Sequence, residues 1–211
     1  MSADKLKTVN FAKNPNDLVL MGGFADCKSL TTIDLSKVTG GVSIGMETFR
    51  DCKMLTSVKL PKNLGYMGES AFENCTSLKS ISIPGNVTNL KSTFKGCRNL
   101  KKVTLPNSLK AIYSDTFNGT SIESISIPES VTKPDSGAFA GAGKLKTVTF
   151  SKSQNVVVIY DGAFKNCRNL TSVSLPDNAR VFKGAFDGCP NVKVRYKGKT
   201  YTSKNLSSLY K

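Results

Sequence analysis

The stretch Ala71-Phe72-Glu73-Asn74-Cys75-Thr76-Ser77-Leu78-Lys79-Ser80-Ile81-Ser82-Ile83-Pro84 decides the architecture, because its pattern returns along the whole chain. Counterparts of Phe72 stand at Phe24, Phe49, Phe94, Phe117, Phe139, Phe164 and Phe186. The successive intervals are 25, 23, 22, 23, 22, 25 and 22 residues. A period of about 20–29 residues marks a short solenoid repeat and is too small for TPR, ankyrin or propeller units. One repeat is therefore read as one turn of a coil. Eight to nine turns fill residues 1–211, and the prediction is a single domain over that range.

Working outward from each phenylalanine, an apolar triplet follows at fixed offsets: Leu30/Ile33/Leu35, Leu55/Val58/Leu60, Leu78/Ile81/Ile83, Leu100/Val103/Leu105, Ile122/Ile125/Ile127, Leu145/Val148/Phe150 and Leu170/Val173/Leu175. The last two members alternate with a polar residue, the period of a strand buried on one face. Pro61, Pro84, Pro106, Pro128 and Pro176 close these strands, since a residue without an N–H ends ladder pairing. A second apolar pair, such as Val87/Leu90 or Leu109/Ile112, precedes the next anchor and is assigned to the opposite wall. No turn can bury its apolar face alone, so stacking at roughly 4.8 Å per rung must create the core.

The prediction is thus a β-rich solenoid with a parallel sheet on one face and short strands, turns or short helical segments on the other. Leu6/Val9/Phe11 supplies a first strand. The alternation Val192/Val194/Tyr196, the turn at Lys197-Gly198 and then Leu206 and Leu209 suggest a hairpin-like terminal cap over 192–211. Ser151 to Asn155 is read as an insertion within one turn, and Gly40-Gly41 as another.

The unit Leu-x-x-Val/Ile-x-Leu/Ile-Pro, then Val/Leu-x-x-Ile/Leu, then Ala/Thr-Phe-x-x-Cys-x-x-Leu resembles the BspA-like, or Treponema pallidum-type, leucine-rich repeat. The likeness runs over nearly the whole chain, and the basic, tyrosine-containing tail resembles the terminator common in that family. The resemblance implies a bacterial or protozoan surface or secreted protein used in adhesion to host or matrix proteins, and it implies a cell-surface or secreted location. A scaffold does not name a partner.

Cys27, Cys52, Cys75, Cys97, Cys167 and Cys189 each lie three residues after an anchor phenylalanine, where two further turns hold Thr120 and Ala142. A slot that accepts Cys, Thr or Ala reads as a small, nearly apolar filler, and unpaired cysteine is among the most buried residue types. Disulfides between neighbouring rungs are the competing arrangement, because rung spacing lies within reach of their geometry. Spacing of one thiol per rung argues against a metal cluster. Four acceptor sequons, at Asn86, Asn118, Asn169 and Asn205, are also by-products of the repeat.

Histidine is absent, so no side chain has an unperturbed pKa suited to proton transfer near neutrality, and the commonest nitrogen ligand for transition metals is missing too. The carboxylates are scattered, with no pair recurring at one place. The reading is non-enzymatic, with no cofactor. Met1 to Leu6 contains no apolar segment of signal-peptide type, and no stretch approaches the ~18 apolar residues of a membrane span, so membrane insertion is not expected.

Charge gives the remaining signal. Thirty Lys and Arg oppose fifteen Asp and Glu, for a net +15. Between Glu73 and Asp115 there is no acid, and the tail beyond Asp187 is likewise purely basic. Threading the repeat places Lys79, Lys101, Glu123 and Lys146 in one column, with Lys102 beside Lys101, and Lys28, Lys53, Arg98 and Arg168 in another. Such columns either stay solvated, keeping the coil soluble, or serve a partner.

The first functional reading is a protein-binding adhesion module using the sheet face, where Thr31, Thr32, Ser57, Ser80, Ser124, Thr147 and Ser172 lie. The alternative is a basic module that binds an anionic glycan or acidic protein by charge. Nucleic acid ranks last, for want of interleaved aromatics. The sequence leaves the oligomeric state open.

Overall fold

The computed structural model describes residues 5–210. Among the described residues there are eighteen short strands, numbered in chain order, and the first seventeen form two rows on opposite walls of one coil. The sheet-face row is β1 (Thr8–Asn10), β3 (Thr32–Asp34), β5 (Ser57–Lys59), β7 (Ser80–Ser82), β9 (Lys102–Thr104), β11 (Ser124–Ile127), β13 (Thr147–Phe150), β15 (Ser172–Ser174) and β17 (Lys193–Tyr196). The second wall is β2 (Leu18–Leu20), β4 (Val42–Ile44), β6 (Leu64–Met67), β8 (Asn89–Leu90), β10 (Ala111–Ile112), β12 (Lys133–Pro134), β14 (Val158–Ile159) and β16 (Arg180–Val181). All pairings within the rows are parallel. Of the short strands, turns and short helical segments left open for the second wall, the described residues thus show strands of two to four residues.

The sheet face was expected as one unbroken ladder and is instead three hydrogen-bonded segments, β1-β3-β5, β7-β9 and β11 to β17, lying side by side. At the second break the reason is visible in the chain. Ile122 follows Phe117 by five residues, where the other anchors precede their strand leucine by six. The missing residue offsets that rung, and Ser121 donates its N–H to the Leu100 carbonyl there.

The cap forms as a hairpin. β17 turns through Lys197 (φ 49°) and Gly198 (φ 72°) into β18 (Lys199–Thr202), antiparallel to it. Two central residues with positive φ make the two-residue loop whose twist suits a hairpin. A 3₁₀ helix, Leu206–Leu209, then buries Leu206 and Leu209 against the last rung.

The phenylalanines form the predicted column. Ring centroids of successive anchors lie 5.0–5.9 Å apart with interplanar angles of 7–19°. Phe49 through Phe164 are fully buried and Phe186 nearly so, whereas Phe24, first in the stack, is only partly covered.

Every turn bends twice through left-handed backbone, two residues before its phenylalanine and two after. The first position is held by Gly22, Glu47, Ser70, Ser92, Asp115, Gly137, Gly162 and Gly184. The second is held by Asp26, Asp51, Asn74, Gly96, Gly119, Gly141, Asn166 and Gly188. Only Asp, Asn and Gly occur in the second set, the residues that tolerate this region best. Gly40 answers a different need: a β-carbon there would stand 2.0 Å from the Asn16 carbonyl oxygen, so the insertion folds tightly over the preceding turn.

Candidate binding face

The cysteine slot does more than fill space. Cys52, Cys75, Cys97, Cys167 and Cys189 are free thiols, and each donates its S–H to the carbonyl of the anchor phenylalanine one turn earlier, at 2.9–3.1 Å. That carbonyl also accepts the N–H of the slot residue of its own turn, so both oxygen lone pairs are used. Ala142 has no donor to offer Phe117. There the Thr120 hydroxyl bonds the Phe117 oxygen at 2.9 Å instead. The slot thus supplies a hydrogen bond inside the core, which the filler reading missed.

All six cysteines are buried. Burial pushes the Cys52 and Cys97 thiols up to about 12 and Cys75 well above its ordinary value. A hydrogen bond to the Cys189 sulfur, together with burial, raises Cys167. Thiolate, the nucleophilic and metal-binding form, is therefore disfavoured at neutral pH at these four positions, whereas the hydrogen bond from Cys167 lowers the Cys189 thiol. Among the described residues no group of three or more Cys, Asp or Glu could surround a metal ion, and no helix is long and apolar enough to cross a membrane.

The chemistry available lies outside, on the sheet face. Register within each of the three segments, continued across the two breaks by the alignment of the repeat, places one outward column at Thr8, Thr32, Ser57, Ser80, Lys102, Ser124, Thr147, Ser172 and Lys193. A second column runs Asn10, Asp34, Lys59, Ser82, Thr104, Ser126, Thr149, Ser174 and Arg195. The hairpin carries both onward, setting Thr202 opposite Lys193 and Thr200 opposite Arg195.

From β7 onward these columns hold hydroxyls and cations, without a carboxylate. Among the described residues the hydroxyls from Ser80 to Ser174 make no intramolecular hydrogen bond; Thr202, in the hairpin, reaches Asn205 Oδ1 at 3.4 Å. The N-terminal rungs differ. Asp34 accepts from the Ser36 hydroxyl at 2.5 Å and its N–H at 3.0 Å, and Lys59 lies 3.1 Å from its other oxygen. The Ser36 hydroxyl bond leads, with the Ser36 N–H and Lys59 behind it, in lowering the Asp34 carboxyl to about 2.

The proposed binding residues sort into two groups. Lys101 donates its N–H to the Lys79 carbonyl at 2.9 Å, so these two stand on adjacent rungs, with Lys102 next to Lys101 and Arg98 at the preceding bend. All four are exposed and free of ion pairs among the described residues. Lys146, in contrast, is held by Glu123 at 3.1 Å. Lys28 and Lys53 adjoin each other, but Thr76 separates them from Arg98, and Ser121 and Gly143 separate Arg98 from Arg168, so that column never gathers.

The acid-free interval is also less basic in space than in sequence. Lys91 pairs with Glu69 at 2.9 Å, and Lys95 with Asp115 at 3.1 Å, which raises the Lys95 pKa. Lys193 and Arg195, not among the candidates, share the face with the hydroxyl columns. The strict alternation Val192/Val194/Tyr196 was the signal that put them outside.

This coil is similar to several solved structures. One is a leucine-rich cell surface protein from Faecalibacterium prausnitzii, with TM-score 0.54 and 16% identity over 97% of this chain and 86% of that one. A second is the pneumococcal vaccine antigen PcpA, with TM-score 0.62 and 14% identity over 98% of this chain and 66% of that one. A third is the T. pallidum leucine-rich repeat protein, with TM-score 0.55 and 21% identity over 89% and 78%. At these identities the likeness concerns the fold. No curated protein matches the sequence. The model of the BspA type leucine rich repeat region matches residues 2–93 and 90–193 in six copies, and with nearly the whole chain so covered, the protein belongs to that family.

Proposed function

We propose that the chain is a non-enzymatic adhesion module, working at a cell surface or in secreted form, that engages a host or matrix protein through its sheet face and the flanking turns. The observation that carries this reading is the face itself: a row of parallel strands whose outward polar side chains, from Ser80 to Ser174, have no partner among the described residues. Polar groups held in fixed register without internal bonds are ready to be satisfied by a ligand at little ordering cost. The family, and the cell-surface description of the F. prausnitzii structure, support the location.

A second reading, attraction of an acidic partner by charge, is favoured by the four cations Lys79, Arg98, Lys101 and Lys102, which form no ion pair among the described residues. Binding to immobilised matrix-protein extract, measured at rising salt, separates the two. A packed interface survives moderate salt, whereas charge-driven capture fades as the Debye length shortens. Lys101→Glu with Lys102→Glu should weaken an acidic ligand and leave the fold intact. Lys204→Glu in the tail is the control; Lys211, its natural companion, lies outside the described residues. A loss with the tail variant alone would move the functional surface to the terminal basic zone.

A further inference from the structure

We propose that the sheet face from β7 to β18 is a track for a sulfated polysaccharide chain, so that the part of a matrix partner recognised here is its sulfated glycan. The inference rests on the reading of the sheet face as the adhesive surface, and it names the chemistry that this surface takes.

Three properties of the two outward columns point to that class. They contain no apolar side chain over seven successive strands. The exposed large apolar residues, Val19, Met21, Met46, Tyr66, Val156 and Phe182 among them, all lie elsewhere. A protein interface gathers its affinity on buried aromatic or aliphatic anchors, and single-stranded nucleic acid needs aromatic faces to stack upon. The two columns offer neither, and beside them Val103 and Leu105 are only partly covered between β9 and β11.

The second property is a surplus of unpartnered hydroxyls. Each can donate one hydrogen bond and accept others, and can rotate to do so. Such an array suits a ligand that is itself dense in hydroxyls and anionic oxygens.

The third is the placement of charge. Lys102 sits near one end of the track and Lys193 with Arg195 near the other. Four rungs separate them, about 19 Å at the usual strand spacing. Between them lie only Ser and Thr, so the ligand must carry separated anionic groups joined by hydroxyl-bearing units. A sulfate, with three terminal oxygens, can meet a cation and neighbouring hydroxyls together through charge-assisted bonds. Nearby acids do not oppose it on the track: Glu123 is taken up by Lys146, while Glu129 and Asp177 lie in the loops beyond Pro128 and Pro176.

The +15 chain will attract polyanions over its whole surface, so the test compares variants of equal charge. Binding of the full chain to immobilised heparin is measured at about 0.15 M salt. Ser126→Glu with Thr149→Glu sets two carboxylates in the middle of the track. Lys193→Gln with Arg195→Gln removes the far cations. Lys165→Gln with Lys183→Gln removes the same charge from the phenylalanine turns.

The first two pairs should each weaken binding about tenfold and the third less than twofold, with unfolding curves confirming an intact fold in all three. Desulfated heparin and polyglutamate should bind at least tenfold more weakly than heparin to the unaltered chain. Equal losses in the three pairs, or undiminished binding of the desulfated glycan, would overturn the track. If the track pairs abolish adhesion to matrix protein while heparin binding is unchanged, the glycan assignment fails and the adhesive face stands. If adhesion too is indifferent to them, both fail.

Discussion

The N-terminal and C-terminal turns share one core and differ in almost everything built around it. From Phe24 to Asp115 most left-handed positions carry side chains, including Glu47, Ser70 and Ser92; from Gly119 to Gly188 all but Asn166 are glycine. The sheet face shows the same division, with Asp34 and Lys59 on the early rungs and hydroxyls and cations on the later ones. At the first rung Val9, Phe11, Leu18 and Phe24 are only partly covered, whereas the last rung is overlaid by a hairpin and the buried Leu206 and Leu209. Stacking constrains what points inward, because each rung must match the next, and leaves bends and surface to vary.

The largest test of this contrast lies within the phenylalanine column. Phe94 is stacked on both sides and fully buried, so Phe94→Ala should cost about 3–5 kcal/mol in urea unfolding through the cavity it leaves. Phe24 is stacked on one side only, and Phe24→Ala should cost less than half as much. Equal losses would mean that the two ends of the coil are covered alike. A loss of well under about 1 kcal/mol at Phe94 would mean that the rungs are threaded wrongly.

Much of this was legible in the sequence, for a physical reason: a stacked coil repeats its inward residues at a fixed period. The anchors, the strand triplets, the hairpin turn at Lys197-Gly198 and the insertion at Gly40 all leave local marks. The restriction to Asp, Asn and Gly two residues after each phenylalanine was also in plain view and would have located one of the two bends. The other bend, with Glu47, Ser70 and Ser92, gives no such signal. Ion pairs escaped the reading because partners on adjacent rungs stand twenty or more residues apart, as Lys91 and Glu69 do. The thiol donors escaped it because Thr120 and Ala142 made their slot look like one for a filler. The candidate site was legible only as columns, and which cations remain unpaired depended on neighbours that a linear charge count cannot see.

A smaller effect probes the bends directly. Ser70 holds φ 55°, a conformation that costs an L-residue about 1–2 kcal/mol, so Ser70→Gly should stabilise the chain by up to about 1 kcal/mol after the added flexibility of the unfolded glycine. Gly162 is the reciprocal case. It has φ 66°, and a β-carbon there meets nothing closer than 3.8 Å, so Gly162→Ala isolates the backbone term and should cost about 1 kcal/mol. If both substitutions destabilise, side-chain contacts at Ser70 rather than backbone strain set its worth, and the early turns are not the more strained half.

The smallest effect belongs to Asp34, the carboxylate that sets the early sheet face apart. Its pKa of about 2 lies below the ordinary 3.8, so the folded state favours the ionised form. Ionisation therefore stabilises the fold at pH values above the ordinary pKa, and that contribution fades as the pH falls from about 4 toward 2. The gain is slight, because the Lys59 side chain is 63% exposed and a surface pair of this kind contributes about 0–1 kcal/mol. The informative measurement is the titration of Asp34 itself, followed by NMR in three chains. Ser36→Ala removes the hydroxyl at 2.5 Å, the strongest of its supports, and should raise the Asp34 pKa more than Lys59→Ala, which removes a solvated ammonium at 3.1 Å. Added salt should raise the pKa in the unaltered chain and much less once Lys59 is gone, since only the ion pair is open to screening. The reverse order of the two substitutions would show that the neighbouring rung, rather than the local turn, holds the charge on Asp34. The early face would then be held across its strands by ion pairing, unlike the later one, whose column hydroxyls from Ser80 to Ser174 make no intramolecular hydrogen bond among the described residues.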